Sequence, residues 1–143
     1  MGVEHVDHIG IAVPSLDQAQ PFWEEALGLR FHPRETVAEQ QVRVAMGEAG
    51  ASRIELLEPL SAQSPIARFL ERNKPGLHHI ALRVDDLDAA LARLRAAGAT
   101  LIDEVPRLGA GGRRVAFVHP KSASGVLLEL CEGSKEEEPQ ISR

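Results

Sequence analysis

Leu77-His78-His79-Ile80-Ala81-Leu82-Arg83-Val84 decides the fold, because the chain carries a second version of it at Asp7-His8-Ile9-Gly10-Ile11-Ala12-Val13. Laid over each other, His8 meets His79, and the apolar alternation runs on to Val13 and Val84. Each version is followed by a cap-like residue, Ser15 or Asp86, then Leu16 or Leu87 and a helical pattern ending near Gly28 or Gly98. A second echo closes each half, Arg53-Ile54-Glu55-Leu56-Leu57-Glu58 against Leu127-Leu128-Glu129-Leu130-Cys131-Glu132. The chain therefore reads as two copies of one unit, each offering one His and one Glu inside an apolar strand. A repeat of this kind governs every later assignment.

Residues 7–13 alternate and are rich in Ile and Val, the pattern of a strand with one buried face. Pro14 ends it, and Ser15-Leu16-Asp17-Gln18 has the form of a capping box. The next helix contains Pro21, which removes an internal hydrogen bond and predicts a kink. Phe22, Trp23, Ala26 and Leu27 form its expected apolar side, and Gly28 its end. Residues 29–35 predict a short strand, 42–46 another, 47–52 a turn and 53–58 a fourth strand. Ser64-Pro65 opens a connecting helix with proline at its first position and an apolar face of Ile66, Ala67, Phe69 and Leu70.

The second half repeats the plan. A strand is expected over 79–84, an amphipathic helix over 86–97 with Leu87, Leu91 and Leu94 on one side, and strands over 101–105, 114–119 and 126–132. The class is α+β, with a βαβββ module over 1–62, a helical connector over 63–75 and a second βαβββ module over 76–132. The polar, acidic tail over 133–143 reads as disordered.

The totals exclude several functions. A chain of 143 residues, 43% hydrophobic and 26% charged, is an ordinary globular composition. A net charge of −5 gives no basic footprint for nucleic acid and disfavours an anionic membrane surface. Apolar stretches are strand-sized, so no membrane span is expected. The single cysteine, Cys131, excludes an intrachain disulfide, and no signal peptide is visible. A reducing cytoplasm is the expected location.

The chemistry rests on the repeated pair. Side chains alternate faces along a strand, so Glu55 and Glu129 face away from their apolar neighbours. A single such glutamate is ordinarily one that faces water, and a lone strand histidine is ordinarily a satisfied core residue. Here the pairing of His with Glu occurs in both halves, so four side chains can converge when the units pack. Two imidazoles and two carboxylates suit a divalent ion of borderline hardness, such as Co, Mn, Ni, Fe or Zn. His5 and His32 lack repeat partners, and His78 is expected to face away from His79. Gly109-Ala110-Gly111-Gly112 lacks the lysine of a phosphate-binding loop.

These residues, with Ser64-Pro65-Ile66-Ala67, Gly76-Leu77-His78-His79-Ile80, Phe117-Val118-His119-Pro120-Lys121 and Gly125-Val126-Leu127-Leu128-Glu129-Leu130, make the chain up to about Glu132 resemble the methylmalonyl-CoA epimerases of the vicinal oxygen chelate superfamily. The resemblance implies two βαβββ modules forming a cupped mixed sheet around one divalent ion, Co²⁺ first, held by His8, Glu55, His79 and Glu129. It implies an acyl-CoA thioester substrate and a two-base proton transfer in which Glu39 and Glu129 are the bases. Glu39 lies in Ala38-Glu39-Gln40-Gln41-Val42, where Gln41 replaces the glycine usual in the family. Gln40 and Lys121 are the expected substrate contacts, and a homodimer is the expected assembly. Two alternatives stay open at this point: a glyoxalase I-like lyase acting on a glutathione hemithioacetal, and a metal-free binding module on the same fold.

Overall fold

The structure, a computed structural model, describes residues 2–133, so the acidic tail lies outside the described residues except for its first position. The chain divides into two compact units: His8–His79, and residues 2–7 together with 80–133.

In the first of these, strand β1 (Val3–Ala12) contributes its second half. It pairs in parallel with β5 (Ser52–Pro59), and β5 pairs antiparallel with β4 (Val42–Ala49). The two-residue β2 (Arg30–Phe31) and the short β3 (Glu35–Val37) both run antiparallel to β4. Helix α1 (Leu16–Pro21) lays Leu16 into a core with Val13, Ala45 and Leu56, joined by partly buried Trp23 and Phe31. Helix α2 (Pro65–Arg72) starts at Ser64, whose hydroxyl accepts from the Ile66 amide, as the Ser-Pro pair predicts.

The other unit repeats this plan. Strand β6 (Gly76–Val84) supplies its second half in parallel to β9 (Leu128–Cys131), which runs antiparallel to β8 (Arg114–Val118). The two-residue β7 (Arg107–Leu108) runs antiparallel to β8. Helix α3 (Leu87–Ala96) packs Leu87 and Leu91 against Val84, Leu101, Ala116, Val118 and Leu130.

Two carboxylates tie helix starts to strands in the same way. Glu58 Oε2 accepts from the Leu16 amide at 3.0 Å, and Glu132 Oε2 accepts from the Leu87 amide at 2.8 Å. Ser15 and Asp86 accept from Gln18 and Ala89 one turn on. The capping box is thus half realised: Ser15 accepts from the Gln18 amide, and the strand carboxylate of Glu58 takes the next amide, that of Leu16.

Three local expectations change. Residues 101–105 are not a strand: Leu101 makes one bridge to Val118, and the amides of Ile102 and Asp103 both bond to the Phe117 carbonyl. The Asp103 carboxylate then turns back to accept from the Phe117 amide, and pairing resumes only at β7. Residues 29–35 resolve into β2 and the start of β3 and are not one strand. Past Pro21 the helix widens into a π-turn, Phe22–Ala26, with Leu27 N–H bonded to the Phe22 carbonyl. The extra residue in that turn shifts the apolar positions, leaving Phe22 and Leu27 exposed and only Trp23 on the core.

Candidate functional site

Within the His8–His79 unit, β1 carries His8, β5 carries Glu55, and His79 stands at the unit's end on β6. His8 Nε2 and His79 Nε2 are 3.2 Å apart, and Glu55 Oε1 is 3.3 Å from the first and 3.4 Å from the second. All three side chains are buried. The donors form a nearly equilateral triangle, whose centre is about 1.9 Å from each corner (edge over √3). That span suits the bonds of about 2.0–2.2 Å that imidazole nitrogen and carboxylate oxygen make to ions such as zinc. The residues present therefore fit a divalent ion, in donor chemistry and in spacing.

Electrostatics prepares the same set. Burial by itself would raise the Glu55 carboxyl, but the charge of His8 and hydrogen bonds from both imidazoles outweigh it. They hold Glu55 well below the ordinary carboxylate range, so it stays an anion. A buried anion without such partners would be costly.

Gly10 makes room for this cluster. It pairs with Glu55 across the parallel ladder, and a Cβ on it would run into the His79 imidazole. His79 Nδ1 is engaged from the other side, 2.9 Å from Nδ1 of His78, whose ring stands edge-on to Phe69 of α2. The expected separation of His78 from His79 is therefore not what the rings do. Sequence signals existed for both features: a lone glycine inside an apolar strand marks a close approach, and His78 adjoins the ligand position.

Glu129 belongs to the other unit, where it is buried on β9. Its ladder partners are Ala81 on β6 and Phe117 on β8, as those of Glu55 are Gly10 on β1 and Met46 on β4. The register of each unit thus repeats independently. In the same unit Asp7, 1% exposed, receives Arg113 Nη2 at 2.6 Å and Arg83 Nη2 at 3.1 Å. Arg113 Nη2 also lies 3.1 Å from Cys131 Sγ. This buried ion cluster was not among the sequence candidates, because its members stand far apart in the chain.

Glu39 and Lys121 are exposed, and Gln40 is half-buried. Glu39 and Gln40 form a 3₁₀ turn, Ala38–Gln40, closed by Gln41 in the left-handed region at φ 54°. That is the conformation for which a glycine is the easy choice. Here the Gln41 backbone N–H and its side-chain amide both donate to the Ala38 carbonyl and hold the turn. Lys121 lies in a second 3₁₀ turn, whose His119 Nδ1 accepts from the Lys121 amide.

Known proteins share this architecture. The sequence profile of the glyoxalase/bleomycin resistance protein/dioxygenase superfamily matches residues 7–117. The mitochondrial methylmalonyl-CoA epimerase of Homo sapiens is 40% identical over 126 residues, 87% of this chain and 72% of that protein. The crystal structure of methylmalonyl-CoA epimerase from Mycobacterium tuberculosis is 40% identical, with a TM-score of 0.89 over 94% of this chain and 91% of that one. The Streptomyces coelicolor methylmalonyl-CoA epimerase in complex with 2-nitronate-propionyl-CoA is 37% identical, with a TM-score of 0.89 over 93% and 96%.

Proposed function

The chain belongs to the glyoxalase/bleomycin resistance protein/dioxygenase superfamily and, within it, to the family of the methylmalonyl-CoA epimerases, and from that membership we propose that it is an isomerase interconverting (2R)- and (2S)-methylmalonyl-CoA. The observation that carries this to the chemistry is the buried His8–Glu55–His79 donor triangle. A metal-free binding module would have no use for an ionised carboxylate held between two buried imidazoles.

Epimerisation removes the proton from the carbon between a thioester carbonyl and a carboxylate, and returns it to the opposite face. The difficulty is charge building on the thioester oxygen. A divalent ion bound at the site supplies Lewis-acid stabilisation of that charge. His8, Glu55 and His79 would hold it, with Glu129 as the fourth ligand by its place in the repeat and its matching ladder register. Cobalt is the ion proposed first, with Mn, Ni, Zn and Fe suited to the same donors.

Glu39 takes and returns the substrate proton on one face. Its exposure in the Ala38–Gln40 turn, outside both repeats, is what supports that role. Glu129 is the proposed base for the opposite face. Lys121, an exposed cation, and Gln40 are the proposed holders of the anionic ends of the acyl-CoA. The proposed assembly is a homodimer and the proposed location the cytoplasm. No helix among the described residues is long and apolar enough to cross a membrane.

One assay tests the function. Each methylmalonyl-CoA epimer, and separately the methylglyoxal–glutathione adduct, is incubated with the enzyme and Co²⁺ in deuterated water. Inversion of both epimers with deuterium entering at C2, and no turnover of the adduct, is expected. Turnover of the adduct without inversion would assign the chain to glyoxalase chemistry instead.

A further inference from the structure

We propose that His78 is a positioning residue for the metal site: its Nδ1 accepts the Nδ1 proton of His79 when His79 ligates a divalent ion through Nε2. This rests on the metal-site reading above. Two ring nitrogens 2.9 Å apart must share a proton, so one of the pair donates and the other accepts. A neutral imidazole that ligates through Nε2 keeps its proton on Nδ1. His79 Nε2 is the nitrogen turned to His8 and Glu55, at 3.2 and 3.4 Å, and its Nδ1 is the one turned to His78. The only assignment compatible with ligation has His79 donating and His78 accepting. Partners of this kind outside the ligand set orient a ligating histidine and raise its basicity.

His78 is itself held. Its ring stands edge-on to Phe69, centroids 4.9 Å apart at 82°, so α2 presses on the acceptor from behind. The arrangement is not inherited from the repeat. At the equivalent position before His8 stands Asp7, whose carboxylate is occupied by Arg113 and Arg83. His78 therefore acts on one ligand only, and its effect should read out in metal affinity and in the Nδ1 proton of that one ring.

The test separates the acceptor from the packing. His78→Phe keeps an aromatic ring against Phe69 and removes the acceptor; His78→Asn places a carbonyl oxygen near the lost Nδ1 and removes the ring. In the full-length chain, Co²⁺ affinity measured by chelator competition should fall roughly 10- to 100-fold in His78→Phe and stay within about threefold of wild type in His78→Asn. Long-range ¹H–¹⁵N spectra of the Zn²⁺-loaded wild type should show His79 ligating through Nε2 with a slowly exchanging proton on Nδ1, and in His78→Phe that Nδ1 proton should exchange with solvent faster. Thermal unfolding of each metal-free variant checks that the fold is kept. The proposal is overturned if His78→Phe binds Co²⁺ as wild type does, if the two variants weaken binding equally, or if His79 in the Zn²⁺-loaded wild type ligates through Nδ1. Failure of the wild type itself to bind Co²⁺ would remove the metal-site reading along with it.

Discussion

Three single residues carry separable tests of the site. Gly10 lies where a Cβ would meet the His79 ring, so Gly10→Ala should displace one ligand while adding only a methyl group. Metal affinity should drop by at least about tenfold, as when a ligand's placement is lost, and chelator competition measures it. Glu55 is held as an anion well below its ordinary value of 4.5. Its contribution to stability is therefore fully present above that value and is lost as pH falls below it. In the metal-free protein, Glu55→Gln should flatten the acid limb of a plot of Tm against pH. An unchanged limb would mean that other carboxylates control it. For Glu39 the expectation is kinetic. Glu39→Gln should still wash deuterium into one epimer while hardly inverting it, with metal content unchanged, because the second base remains. Inversion of both epimers at the wild-type rate would remove Glu39 from the mechanism.

At the scale of elements, the twin carboxylates Glu58 and Glu132 explain why two short helices begin where they do. Each accepts from a helix's first amide and is itself gripped by an arginine, Arg43 Nη2 at 3.0 Å and Arg114 Nη1 at 3.1 Å. An anion at a helix N-terminus meets both an orphan N–H and the positive end of the helix dipole. Glu58→Ala and Glu132→Ala should each lower unfolding free energy by about 1–2 kcal/mol, read from urea midpoints at constant slope. A loss confined to one of the two would show that the repeat in geometry is not a repeat in energy. The π-turn after Pro21 belongs to the same scale. Proline fixed the place of the distortion, and the wider turn decided which side chains it sent outward.

At the scale of the whole molecule, β1 and β6 each divide between the two compact units, since the boundaries fall at Asp7–His8 and His79–Ile80. Asp7 depends on Arg83 and Arg113 from the far half of the chain, and the 63–75 connector separates them in sequence. A fragment ending at residue 75 would leave that 1% exposed carboxylate without its cations and would also lack His79. Residues 1–75 expressed alone should show no cooperative monomeric thermal transition. A sharp, concentration-independent transition from that fragment would contradict the dependence.

The repeat, the order of strands and helices in each half, the cap positions and the nomination of His8, Glu55 and His79 were legible in the sequence, whereas the parallel pairing of each His strand with its Glu strand was not. The legible features depend on periodicity, proline and glycine placement and local hydrogen bonding, which act over a few residues. The identities of Glu58 and Glu132 were visible as part of the echo, but not their work at the helix starts, because a strand carboxylate meets a helix amide only once the two elements are packed. The failed strand over 101–105 turned on Asp103 reaching the Phe117 amide, a contact across 14 positions that outweighed local β preference. The tertiary structure alone brought the three donors of the His8–His79 unit to within 3.4 Å, set Gly10 beneath His79, and joined His79 to His78. Sequence spacing carries no distance between residues 8, 55 and 79; strand pairing and register supply it, and only then can two imidazoles hold a buried carboxylate in its charged form.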